Sequence, residues 1–361
     1  MRRSCNSFTI SAENVARPGQ RRVRQGAIGY PERSSAGERR HVRLGLFTPL
    51  LNALSLEEML QTLKRYPEIH YLELGTGGWP GNSHLSIDSL LDAAEKIREF
   101  AKRLQDTGHT ISALSCHGNP VHPVAEIAQR DDLLFRKTVR LAEQMGVPVV
   151  VTFSGCPGGG KEDRVPNWIT APWPTEYAEA LQWQWDERLI PYWRDAAGLA
   201  AAAGVRIALE AHPGFCVYNP ETLLRLRAAT NDALGINLDP SHLWWQGIDI
   251  PSAISLLGDA IFHVHAKDVA LHARNCQLNG VLDSKSYSQM AERSWLFRSV
   301  GWGHDELEWK RIVSALRLVG YDYVLSIEHE DALASVHEGL SSAIALLKRV
   351  LLTEPPVKPW W

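Results

Sequence analysis

The chain has 361 residues, 45% of them hydrophobic, and a formal net charge of −3, which is ample for a full core in one large domain or two smaller ones. No apolar run approaches the roughly 18 residues that a membrane helix needs, so no membrane partner is expected. The five cysteines (Cys5, Cys116, Cys156, Cys216, Cys276) are scattered with no CxxC pair, which argues against a disulfide scaffold or thiolate zinc site and fits a reducing cytoplasm.

Charge is uneven along the chain. Residues 1–41 carry nine Arg, no Lys and three Glu, net +6, which leaves −9 for the remainder. An acidic body has no electrostatic footprint for a phosphate backbone, so nucleic acid is not an expected partner. The Arg-rich head admits three readings: an organelle transit peptide, a disordered extension with little apolar periodicity, or a start assigned upstream of the natural one, because Val42-Arg43-Leu44-Gly45 opens a strand abruptly.

From Val42 onward short apolar runs alternate with helical patterns, the signature of a parallel βα sheet. The runs predict strands at 42–47, 69–75, 110–118, 147–155, 205–212, 233–239, 260–268 and 323–330. Eight is the number that closes an α/β (β/α)8 TIM barrel, which routinely takes about 250 residues or more as one domain. The barrel is expected over 42–353, with a Pro/Trp tail over 354–361 that docks on its own barrel or on a partner chain. Apolar residues at 3–4 spacing predict helices, including one over 88–106 and one ending in Leu133, Leu134, Thr138, Leu141 and Met145. Gly146, Gly204 and Gly320 each separate a helix from the next strand, as C-caps do.

Two connections are long, 155–182 after strand four and 269–303 after strand seven. Both belong on the catalytic face, where such loops shape pockets or act as lids. GCPGGGK at 155–161 lacks the spacing of a phosphate loop and reads as a flexible loop. There is no nucleophile elbow and no dinucleotide fingerprint.

Four runs end in a candidate metal ligand: Glu210, Asp239, His265 and Glu328. They converge only if their strands are parallel with C-terminal ends together, where the active site of such a barrel lies. Three carboxylates and one imidazole suit one divalent cation, Mn²⁺ first, then Mg²⁺, Co²⁺ or Fe²⁺. The positions left open on the ion would take adjacent sugar oxygens. Pleating pairs His263 with His265, Glu328 with Glu330, and Glu210 with His212 on one face each. The better-placed member of each pair is expected to be the ligand and the other to touch substrate. His117, at the end of strand three, is a candidate general base or substrate contact. Glu73 is a candidate for a substrate hydroxyl or a basic neighbour, and Trp244-Trp245 for an apolar wall against a sugar ring.

Glu210, Asp239-Pro240-Ser241-His242, His265-Ala266-Lys267-Asp268 and Ser326-Ile327-Glu328-His329 resemble the xylose-isomerase-like sugar isomerase/epimerase superfamily, in the right order across about 42–350. The resemblance implies metal ligation by the same quartet, proton transfer by Glu210 and Glu328 on opposite faces of a substrate carbon, and substrate contacts from His242, His212 and Lys267. Endonuclease IV is similar too, but its three-metal cluster needs a histidine on strand four and a DxH after HAKD, and this chain has neither. The expectation is therefore a metal-dependent isomerase or epimerase of a sugar, polyol or keto-sugar, working through an enediolate held by the metal. The same resemblance implies a second outcome, a lyase, dehydratase or deglycosidase acting on a 3-oxo-sugar or inosose, with the Trp-rich loops making room for an aglycone. A different class also stands: a non-catalytic or partner-completed barrel, in a homo-oligomer or a hetero-oligomer.

Overall fold

The computed structural model describes residues 41–358. The expectations for the Arg-rich head and for the terminal Trp-Trp fall outside the described residues. Every expected barrel strand forms, each shorter than its apolar run: β1 (Arg43–Phe47), β2 (Tyr71–Gly75), β3 (Thr110–Ser115), β4 (Val149–Phe153), β5 (Arg206–Glu210), β6 (Leu234–Leu238), β7 (Ile261–Ala266) and, after a two-strand insertion, β10 (Val324–Ile327). The runs overshoot because apolar and functional side chains continue past the last ladder hydrogen bond. All eight pair in parallel around a closed barrel, in the order β1-β10-β7-β6-β5-β4-β3-β2. The protein is thus a single (β/α)8 barrel.

The register sets the site. Glu210 lies beside Asn237, and Ser326 beside His265. Register shifts fall at Leu72/Glu73 on β2 and at Ile236/Asn237 on β6. At the second shift Phe262 is the extra residue on β7. It joins Ala113, Val149, Val151 and Ala208 in a small cluster separate from the main core, while His263 and His265 enter the polar layer above. Bulges of this kind re-aim side chains next to active sites.

The helices obey the apolar spacing with one correction. The expected 88–106 helix is two pieces, Ile87–Leu90 and Ala94–Asp106. Asp92 between them adopts φ 62°. Gln144 donates to its carboxylate at 2.6 Å and accepts its N–H at 2.9 Å, so a contact from a distant helix stabilises the break. Gly146 caps the helix Ala125–Met145 with φ 72°, a left-handed conformation that a side chain disfavours. GCPGGGK is not loose throughout. Gly155 to Gly158 are buried; Asn119 bonds both the N–H and C=O of Cys156, and Gln184 donates to the carbonyls of Pro157 and Gly158.

The connection after β7 holds structure that its sequence did not announce. β8 (Asp268–Leu271) and β9 (Trp295–Arg298) form an antiparallel ribbon. Asp268, the last residue of HAKD, is fully buried and fastens both ends of the insertion. Its carboxylate accepts from the N–H groups of Val269, Gly301, Gly303 and His304, and from the ring of His304. Replacing Asp268 by Ala leaves these donors without partners and should cost roughly 3–5 kcal/mol. Chemical denaturation checks this, and a loss under about 1 kcal/mol would contradict the anchoring role.

Candidate metal centre

The ligand atoms of Glu210, Asp239, His265 and Glu328 lie within 4.8 Å of one another, all four residues buried. Each arrives by a different local device. Glu210 is the last residue of β5 and His265 the penultimate residue of β7. Asp239 caps the helix Pro240–Trp244: its Oδ1 accepts from Ser241 N at 2.8 Å, leaving Oδ2 for the interior. Glu328 follows β10 directly, its N–H donating to the carbonyl of Ala266.

Three atoms of this quartet, Asp239 Oδ2, His265 Nδ1 and Glu328 Oε2, are buried without an aligned hydrogen bond, although Asp239 Oδ2 has His242 Nε2 at 3.2 Å and Lys267 Nζ at 3.6 Å. Buried polar atoms almost always have partners. His265 Nδ1 and Glu328 Oε2 stand 2.8 Å apart without an aligned hydrogen bond, the arrangement of two ligands aimed at a common ion. The electrostatics agree. Burial pushes Asp239 up to about 7, and the neighbouring Glu328 and Glu210 add to the rise against the opposing pull of Lys267. A dication among three carboxylates removes that conflict. The residues present therefore fit one oxygen-preferring divalent cation with a single imidazole ligand.

The surroundings hold the quartet rigid. His117 Nε2 lies 3.1 Å from Glu210 Oε2, and His242 Nε2 lies 3.0 Å from Glu210 Oε1. Burial would raise Glu210, but these two contacts hold it well below the usual carboxylate range. His265 Nε2 lies 2.9 Å from Glu73 Oε2, and Glu73 also accepts from the hydroxyls of Ser115 at 2.5 Å and Ser326 at 2.9 Å. Burial opposes its charge, yet His265 and His263 bring Glu73 down to about 2. A carboxylate behind a ligating histidine fixes its ring and its tautomer. Lys267 is buried too. Burial disfavours its charge, but Glu328 at 3.2 Å, Glu330 at 2.5 Å and Asp239 at 3.6 Å keep it well above its ordinary value.

Above the quartet opens a cavity of about 520 Å³. Glu210, His212, Lys267, Glu328 and Glu330 line its polar part. His212 and Glu330 line this cavity beside Glu210 and Glu328. Other expected residues lie elsewhere. Glu73 is fully buried against His265 and His263, so of its two expected roles it meets a basic neighbour and not a substrate hydroxyl. His117 and His242 stand behind Glu210 rather than in the cavity wall. Trp244 is buried and stacks on His304 at 3.8 Å, so it makes no sugar wall. His263 lies outside the quartet, its Nδ1 3.1 Å from Asn237 Oδ1 and 3.7 Å from Glu73 Oε2. The missed residues are aromatic: Trp79, Phe153, Phe215, Tyr287 and Phe297 line the cavity. The tryptophans of the connection after β4 are not among them, and Trp168 borders a separate, smaller cavity with Cys156 and Cys216. Gly78 places Trp79: it has φ 69°, and a Cβ there would collide with the carbonyl of His117. The apolar run Trp295-Leu296-Phe297, of which Leu296 and Phe297 line the cavity, was the available signal for the wall from β9.

A family profile described as xylose isomerase-like TIM barrel matches residues 70–350. The chain belongs to that family. The uncharacterised protein YfiH of Bacillus subtilis (strain 168) is 40% identical over 313 residues, 86% of this chain and 99% of that one. Among solved structures, the probable 3-DHS dehydratase AsbF of Bacillus anthracis is similar with a TM-score of 0.59 at 17% identity, over 85% of this chain and 99% of that one. An L-ribulose 3-epimerase is similar with a TM-score of 0.51 at 18% identity, over 89% and 88%. At these identities the structural likeness establishes the fold. No helix among the described residues is long and apolar enough to cross a membrane.

Proposed function

We propose that the protein is a divalent-metal-dependent enzyme that moves a proton on the carbon beside a carbonyl in a keto-sugar or related polyol, giving isomerisation or epimerisation. The observation that carries this reading is the convergence of the three orphaned atoms of Asp239, His265 and Glu328 beneath an open cavity. A cation held by Glu210, Asp239, His265 and Glu328 would act as a Lewis acid, polarising the carbonyl and acidifying the neighbouring C–H. Glu328 faces the cavity with Oε1 on Lys267 and takes the proton. Glu210, held by His117 and His242, serves the other face. Lys267 and His212 hold substrate oxygens. Membership in the xylose isomerase-like family supports the chemistry.

A second reading is elimination. Glu328 removes the same proton, the C–H electron pair becomes a C=C bond, and a β-leaving group departs with its bonding pair and acquires a proton. The largely apolar upper cavity, which gives room for a leaving group, favours this variant.

Both readings share a labile C–H. The metal-loaded protein in D₂O should exchange deuterium into at least one of a panel of ketoses and 3-oxo-glucosides, read by NMR, and chelation should stop it. Absence of exchange with Mn²⁺, Mg²⁺, Co²⁺ and Fe²⁺ alike counts against the proposal. Asp239→Asn should lower metal affinity by more than the roughly 10–100-fold that outer-sphere partners cost. Metal analysis after dialysis reads this directly, and full retention of the ion would remove Asp239 from the ligand set.

A further inference from the structure

Two cysteines from different segments meet beside the smaller cavity. Cys156 follows β4 and Cys216 follows β5, and hydrogen bonds lace the two stretches together. Cys216 donates its N–H to the carbonyl of Gly155 at 3.0 Å, and Val217 donates its own to Ser154 Oγ at 2.9 Å. The first of these bonds leaves the Cα atoms of Cys156 and Cys216 no more than about 7 Å apart, close to the roughly 4.4–6.8 Å that a disulfide spans. The side chains meet as well, the Cys216 thiol hydrogen-bonding to that of Cys156. Both are free thiols. Asn119 bonds the N–H and the C=O of Cys156, so its backbone is held in place on both sides.

The two sulfurs have unequal chemistry. The hydrogen bond from Cys216, helped by the backbone of Asn167, holds Cys156 below the ordinary thiol value against the effect of burial. The same contact and burial push Cys216 well above it. Cys116 is as deeply buried but has threonines for partners, and burial pushes it up to about 12. A thiol that ionises easily next to a second thiol is the arrangement of oxidisable cysteines, whereas a buried thiol like Cys116 is inert. The cavity at the pair holds about 190 Å³, with Trp168, Trp185 and Arg225 also in its lining, which gives a molecule of a few atoms room beside the sulfurs. Trp168 Nε1 is buried there without an acceptor. The Arg225 guanidinium lies 3.9 Å over the Trp185 ring, and its charge eases deprotonation of Cys216.

We propose that Cys156 and Cys216 are an oxidisable dithiol, in which Cys156 is the nucleophile toward a small hydroperoxide in this cavity and Cys216 closes a reversible disulfide. The Cys156 thiolate attacks one peroxide oxygen, the O–O bond breaks, and the departing hydroxide takes up a proton to become water. Cys156 is then a sulfenic acid, oxidised by two electrons as the peroxide is reduced. Cys216 loses its proton and its sulfur attacks that of Cys156. The S–O bond breaks, and the leaving hydroxide takes the proton as a second water. An external dithiol restores both thiols by exchange. The proposal is independent of the metal centre, yet the bridge would be felt near it. Cys216 follows Phe215, and His212 donates its N–H to the carbonyl of Val217 at 3.2 Å, so a disulfide braces the turn that carries two lining residues of the large cavity.

Full-length protein, reduced and then freed of reductant, is exposed to a small molar excess of hydrogen peroxide, alkylated in denaturant and digested for mass spectrometry. The expected product is a peptide pair joined through Cys156 and Cys216, lighter by two hydrogens than the reduced pair and separated by dithiothreitol. Cys156 should be consumed at least about tenfold faster than Cys116, because the thiolate is the nucleophile. In Cys216→Ser the bridge cannot close, and dimedone should label Cys156 as a sulfenic acid. In Cys156→Ser, Cys216 should stay open to alkylation. Survival of both thiols under peroxide, loss of Cys156 no faster than that of Cys116, or a bridge from either residue to a different cysteine overturns the proposal. If the serine variants fail to fold, the linked peptide and the two rates in the parent protein still decide it.

Discussion

Glu328→Gln is expected to reduce C–H exchange about 1,000-fold, within the roughly 10²–10⁴-fold that a positioned acid–base group supplies. The substitution preserves shape. Lys267 keeps Glu330 at 2.5 Å and Asp239 at 3.6 Å, so the buried ammonium stays compensated and the fold should hold. Glu328 Oε2 is also one of the three orphaned atoms, so the neutral amide weakens the ion site as well. Metal content and exchange rate are therefore measured together, with saturating metal separating the two losses. Turnover within tenfold of the parent under saturation would dismiss Glu328 as the base.

The second large effect is expected at a residue that touches no substrate. Glu73→Ala strips the partner from His265 Nε2 and from the hydroxyls of Ser115 and Ser326, all fully buried. Removing one partner of a buried charged set typically costs about 3–5 kcal/mol. With His265 as a ligand of the proposed ion, loss of the group behind it should add roughly 10–100-fold in metal affinity. Denaturant unfolding of the metal-free protein reads the first, and metal titration the second. A variant of unchanged stability with unchanged affinity would mean that Glu73 neither supports the barrel nor orients His265. Glu73→Gln retains volume and one acceptor, so its losses should fall between those of the parent and the alanine variant.

These two residues show how far the sequence could be read. Glu328 closes a short apolar run, and four such endings on successive strands give both the parallel barrel and the quartet. Glu73 closes a similar run, but nothing local separates a carboxylate that meets substrate from one that backs a ligand. The bulge at Leu72/Glu73 and the arrival of His265 from 192 residues away decide it. His242 shows the same limit. DxxH spacing puts it one helical turn after Asp239, yet the fold turns its Nε2 to the carboxylates of Glu210 at 3.0 Å and Asp239 at 3.2 Å, and His242 does not line the cavity.

The insertion after β7 was the least legible segment. Its ribbon depends on Asp268 gathering N–H groups from Gly301, Gly303 and His304, contacts more than 30 residues apart that leave no periodic trace. The aromatic walls were hidden for a related reason: Phe153, Phe215 and Phe297 sit in separate segments and share a surface only when the barrel closes.

By itself the sequence determined the eight-stranded parallel barrel and the four side chains that meet at its C-terminal mouth, because the period of the apolar runs and the polar residue ending each are local properties. Tertiary structure alone decided which groups support the quartet and which face the cavity. Those roles depend on strand register, bulges and long-range hydrogen bonds, and a buried carboxylate acquires its charge state and orientation only from the neighbours that folding supplies.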